Sequence, residues 1–199
     1  MAAVCVFCSS SGRIDPSYVE LATAVGTELA RRGHSLVSGG GSVCMGAVAR
    51  AARAGGAHTV GVIPRVLLDL EVADDDADEL LVTDDMRARK GLMDSRADAF
   101  LTLPGGLGTL EELLEIWVSR TLAMHAKPVV VLDPDGVFEP LRAQVDLLVE
   151  GGFVREGAQG AVTWVRDPGE AFDAIDAELA APAAPVLTAA PDEVLEAEL

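Results

Sequence analysis

The chain has 199 residues, 50% of them hydrophobic and 24% charged, with 20 Gly and 10 Pro. That suffices for one domain with a sizeable core and falls short of two ordinary ones. Its 32 acidic residues against 15 basic ones give a net charge of −17, which argues against nucleic-acid polymers and anionic membranes, both of which are held by Lys and Arg. A single small phosphate stays open, because a few backbone N–H groups and one or two Arg can hold it locally. The only lysines are Lys90 and Lys127, and the cysteines are Cys5, Cys8 and Cys44. An odd cysteine count without a secretory leader points to a reducing, cytoplasmic setting. No apolar run reaches the ~18 residues of a membrane-spanning helix.

The first element is a strand over Ala3–Phe7. Cys5 and Cys8 form a C-x-x-C there, but residues three apart on a strand face opposite sides, and His34, His58 and His125 are scattered. Both cysteines are expected to be structural. After the loop Cys8–Gly12, a helix is predicted from Pro16 to Arg32, with Asp15 as its cap and Gly33 as its stop. Strand His34–Val37 leads into Ser38-Gly39-Gly40-Gly41-Ser42, then helix Cys44–Ala54 and strand Thr59–Ile63. An irregular acidic stretch from Leu67 to Asp85 holds a short extended piece at Glu79–Val82. Helix Met86–Arg96, strand Ala99–Leu103, helix Thr109–Met124, strand Pro128–Leu132 and helix Val137–Glu150 follow. The run Ala161–Val165 reads as an edge strand, and Asp167-Pro168 opens a last helix to Leu179. Residues 1–180 thus form one domain, and 181–199 an Ala/Pro-rich acidic tail expected to be disordered. Alternating strands and helices with near-continuous apolar strands imply an α/β, Rossmann-like doubly wound sheet, mostly parallel, with helices on both faces. Ligands of such folds sit beyond the carboxyl ends of the strands.

Pro104-Gly105-Gly106-Leu107-Gly108-Thr109 lies at such a place, between a strand and a long helix. Glycines let backbone N–H groups converge, the helix dipole adds positive charge, and Thr109 can cap the helix. No Lys follows, so this is not a Walker loop. Gly40, Gly41 and Ser42 follow a strand in the same way, either lining a ligand or simply packing helix on strand. Glu111 and Glu112 fall in the first turn after the glycines; they either complement the helix dipole or face a ligand. Successive helix residues point about 100° apart, so one of the two is expected to face it. Arg89 and Lys90 fit a solvated helix face and a ligand site equally well. The apolar positions Leu110, Leu113, Leu114, Trp117 and Val118 suit either a core or an interface between copies.

Together, Pro104-Gly105-Gly106-x-Gly108-Thr109-x-x-Glu112, the Arg89-Lys90 pair fifteen residues before the proline, and Ser38–Gly46 resemble the LONELY GUY (LOG) family. The likeness runs from about Val4 to Asp176 and includes Cys5-Val6-Phe7-Cys8-x-Ser10, Ala97–Phe100, Trp117 and His125-x-Lys127-Pro128. It implies a cytokinin riboside 5′-monophosphate phosphoribohydrolase, cleaving the N-glycosidic bond of AMP or an N6-substituted AMP to free base and ribose 5-phosphate. By motif, Arg89 and Glu112 match the catalytic pair. Gly105, Gly106, Gly108 and Thr109 match the phosphate loop, Lys90, Glu111 and Glu71 match substrate contacts, and Gly40, Gly41, Ser42 and Ser10 line the site. The resemblance calls for no metal or organic cofactor and implies a homodimer. A non-catalytic nucleotide or molybdenum-cofactor carrier on the same fold is the alternative. A lysine decarboxylase would need a Schiff-base lysine, and neither Lys90 nor Lys127 has that context. The sequence departs from the family pattern at Arg87, Ala88, Thr121 and Ala123, and its Gly39–Gly46 loop is one residue short, with Cys44 in place of Gly-Leu.

Overall fold

The computed structural model describes residues 1–68 and 73–182. Seven strands form one parallel sheet in the order β4-β3-β2-β1-β5-β6-β7. These are β1 Ala3–Phe7, β2 Ser35–Ser38, β3 Thr59–Pro64, β4 Glu79–Thr83, β5 Ala99–Thr102, β6 Val129–Leu132 and β7 Thr163–Val165. The helices are α1 Pro16–Arg31, α2 Cys44–Ala54, α3 Arg65–Leu68, α4 Met86–Arg96, α5 Leu107–Thr121, α6 Glu139–Glu150 and α7 Pro168–Ala180. Winding proceeds from β1 outward through β4, then restarts at β5 beside β1. The restart is the switch point at which such sheets open a crevice. The acidic tail from 183 onward lies outside the described residues, and no described helix is long and apolar enough to cross a membrane.

The central strands are apolar on both faces because helices cover both. Val129–Leu132 is wholly buried, and Cys5 and Cys8 go to opposite layers, as their spacing requires. One layer packs Val25, Leu29, Val48 and Phe172; the other packs Phe7, Phe100, Leu113 and Trp117. Helices α1 and α2 approach closely because Gly26 has no side chain; a Cβ there would lie 2.3 Å from the Val48 carbonyl oxygen. All three thiols are free and buried, and burial pushes those of Cys5 and Cys8 well above their ordinary value.

Helix starts follow the expected chemistry where aspartates precede them. Asp15 accepts from the Ser17 N–H at 2.9 Å, Asp85 from Ala88 at 2.8 Å, and Asp167 from Gly169 at 2.7 Å. Three details differ from the sequence reading. A short helix, α3, and a 3-10 turn at Ala158–Ala161 interrupt segments without periodicity. Helix α5 starts two residues early, at Leu107, and ends at Thr121, where Ala123 turns left-handed (φ 53°) and the Met124 N–H bonds back to Ser119. The apolar face of α5 is divided: Leu113 and Trp117 are core, while Leu114 and Val118 are exposed.

Candidate active site

Three turns meet beyond the carboxyl ends of β1, β2 and β5. The turn after β5 carries the glycine motif. Its helix is uncapped: Gly106 occupies the cap position and no side chain accepts from the first-turn amides. Thr109 is therefore not the cap. It is buried two residues inside the helix, with its hydroxyl folded back onto Gly105, where a Cβ would lie 2.2 Å away. None of Gly105, Gly106 and Gly108 has a positive φ. Gly105 is needed for the Thr109 contact, and a Cβ at Gly106 or Gly108 would meet nothing, so both leave bare backbone open to solvent. Free amides at a positive helix end, with no side chain above them, suit an anion.

The turn after β2 does a different job. Arg89, on α4, is buried. Its Nε donates to the Val62 carbonyl at 3.1 Å, its Nη2 to the Gly39 carbonyl at 3.3 Å, and its Nη1 lies 3.7 Å from the Met86 sulfur. A Cβ on Gly39 would sit 1.8 Å from Nη2. The glycine is required because the guanidinium passes across it. Gly40 turns left-handed (φ 65°) against Gly61 and Val62 of β3. The loop is closed by Val43 at φ 55°, ψ −115°, a conformation uncommon for a β-branched residue.

Glu112 lines a cavity of about 60 Å³ between α4 and α5, together with Phe7, Lys90, Asp94, Phe100 and His125. Burial raises its carboxyl to about 7; Arg89 and Lys90 oppose the rise, while Glu111 and Glu115 add to it. No ion pair joins Arg89 to Glu112 among the described residues, so the arginine acts on the carboxylate through space and is itself oriented by carbonyls. Glu111 points outward and, with Glu115, holds the Lys90 ammonium, raising its pKa. Of the two adjacent glutamates, only Glu112 faces the cavity.

Of the residues expected at the site, Lys90 and Glu112 line this cavity, while Gly40, Gly41 and Ser42 lie on the turn after β2, Gly105 and Gly106 on the turn after β5, Gly108 and Thr109 in the first turn of α5, and Arg89 on α4. Ser10 is exposed in the turn after β1. Glu71 lies outside the described residues. Sequence reasoning missed Glu115, Asp94 and His125. The spacing of Glu111, Glu112 and Glu115 on one helix was the available signal for Glu115. His125 bridges the Ile116 carbonyl (3.1 Å) and the Lys127 N–H (3.2 Å), and nothing local announces that. No group of three or more His, Cys, Asp or Glu among the described residues is placed to hold a metal.

A seven-stranded parallel sheet with helices on both faces and glycine turns after β2 and β5 defines a Rossmann-like α/β protein. The chain belongs to the LONELY GUY family, whose profile, described as "Possible lysine decarboxylase", matches residues 45–175. A cytokinin riboside 5′-monophosphate phosphoribohydrolase from Mycobacterium marinum is 50% identical over 172 residues, 86% of this chain and 91% of that one. The protein of the same description from Mycobacterium tuberculosis is 52% identical over 152 residues, 76% and 81% of the two chains. A probable one from Oryza sativa subsp. japonica is 42% identical over 174 residues, 87% and 71% of the two. Among solved structures, the molybdenum cofactor carrier protein of Chlamydomonas reinhardtii superposes with a TM-score of 0.68 at 22% identity, covering 91% of this chain and all of that one. That likeness shows the fold alone.

Proposed function

We propose that this chain is a nucleoside 5′-monophosphate phosphoribohydrolase acting on AMP or an N6-substituted AMP. The observation that carries the reading is Glu112: a carboxyl raised to about 7 in the cavity between α4 and α5, on the helix whose open glycine turn can take a phosphate. The 5′-phosphate binds the first-turn amides of α5, so that binding energy remote from the reacting bond positions the ribose. Departure of the base breaks the C1′–N bond, its electron pair leaves with the base, and the base takes up the one proton that the attacking water gives up. The cationic ribosyl group that remains is stabilised by ionised Glu112, which accepts a proton as water adds to C1′. Arg89 lowers the cost of ionising Glu112 and orients the ribose or the leaving base.

The names of relatives 42–52% identical support the enzyme over the carrier. A decarboxylase reading meets a chemical obstacle. A Schiff-base lysine needs a lowered pKa, yet Lys90 is raised by two carboxylates and Lys127 is paired with Asp94 at 2.7 Å. The same reading includes a homodimer built through exposed Leu114 and Val118 of α5, and a cytoplasmic setting consistent with three free thiols. Incubation with AMP, isopentenyl-AMP, GMP and CMP, followed by chromatography, tests the substrate class. The adenine nucleotides yield free base and ribose 5-phosphate in equal amounts and the others do not. Tight AMP binding without release of base would instead identify a carrier.

A further inference from the structure

Arg89 keeps its place only if the Gly39–Gly40 turn keeps its own, and that turn is held from outside the site. The Gly40 carbonyl accepts from the backbone N–H of Asp74 at 2.9 Å. The Asp74 carboxylate is gripped by both arms of the Arg53 guanidinium, Nη1 to Oδ2 at 2.7 Å and Nη2 to Oδ1 at 2.8 Å. Both side chains are mostly buried, 18% and 12% exposed. Arg53 is also anchored on β3, with Nη1 3.4 Å from the Thr59 hydroxyl. Thr59 in turn gives its N–H and hydroxyl to Asp78, at 2.8 and 3.0 Å. A two-armed Arg–carboxylate contact fixes direction as well as distance.

We propose that Arg53 and Asp74 are a positioning pair for the reaction, fixing through the Gly40 carbonyl the turn on which the Arg89 guanidinium rests. The inference builds on the site reading above. Neither residue lines the cavity that holds Glu112. Without the fork, the Asp74 N–H drifts from Gly40, the left-handed turn relaxes, and Arg89 loses one of its two carbonyl acceptors. The phosphate turn belongs to α5 and β5 and is untouched, so the pair acts on the chemical step more than on nucleotide capture.

The experiment compares wild type, Arg53→Lys, Asp74→Ala and the exchanged pair Arg53→Asp/Asp74→Arg, each assayed with AMP or isopentenyl-AMP well below its Tm. Arg53→Lys keeps the charge and loses the fork. In Arg53→Lys and Asp74→Ala, kcat falls by about tenfold or more, since a displacement of ~1 Å in a catalytic group costs up to 10²-fold, while KM stays within about twofold. The exchanged pair regains part of kcat. A purely structural role would lower Tm and leave kcat unchanged, and that result in folded Arg53→Lys overturns the proposal, as does a rise in KM alone. A wild type without turnover overturns the site reading and the pair with it; turnover in wild type with undiminished kcat in the variants overturns the pair alone.

Discussion

Glu112 and Arg89 owe their properties to neighbours far away in the chain. Glu112 was legible as a candidate because its motif places it after the glycines, but its raised pKa comes from the cavity walls, Phe7, Phe100 and His125, which only the fold assembles. Arg89 could be read as a solvated helix face until its contacts with Gly39, fifty residues away, and Val62 were seen. The raised carboxyl has a consequence for stability. An unfolded Glu ionises near pH 4.3, whereas folded Glu112 keeps its proton until about pH 7. The native state therefore binds more protons in that window, and this group's contribution to stability falls as pH rises through it. Gln cannot ionise. The difference in Tm between Glu112→Gln and wild type thus shifts in favour of the variant between about pH 5 and about pH 8. A difference that stays constant with pH would contradict the assignment.

At the scale of elements, periodicity placed most strands and helices within a residue or two, because buried parallel strands and amphipathic helices leave plain patterns. It failed at the start of α5. Thr109 has the residue type of a cap, yet Gly106 takes the position and Thr109 packs under Gly105. The acidic stretch also hid its order, since β4 is a half-buried edge strand secured by polar links, Asp78 to Thr59 and Glu79 to His58 and Arg96. The uncapped α5 terminus makes a prediction that separates function from stability. Gly108 lies in the first turn with empty space where a Cβ would go. Gly108→Ala therefore stabilises the helix by about 0.5–1 kcal/mol, raising Tm by roughly 1–4 °C. Its methyl group also intrudes on the phosphate approach and raises KM for AMP about tenfold, a loss of ~1.4 kcal/mol of binding. Thermal melts and steady-state kinetics on the same preparation check both halves; an unchanged KM would show that the turn does not receive the phosphate.

For the whole molecule, the parallel sheet with helices on both faces follows from alternation of strand and helix, and the switch point in its strand order marks where such sheets open a crevice. The charge of −17 is unevenly spread. Eight acids lie in 71–85 and nine in 167–199, with no Lys or Arg in either stretch. The rest of the chain is balanced, so the acidity opposes polyanions without opposing one phosphate beside Arg89 and the α5 terminus. The fold alone does not choose between enzyme and carrier, since the molybdenum cofactor carrier shares it at 22% identity. The relatives 42–52% identical favour the enzyme, and Glu112 is the chemical core of the proposed site. The most direct measurement is the rate of base release from AMP or isopentenyl-AMP by Glu112→Gln against wild type, with circular dichroism confirming the fold of both. The account predicts a loss of at least about 10²-fold in kcat, with nucleotide binding retained. Near-normal release of base by folded Glu112→Gln would contradict it.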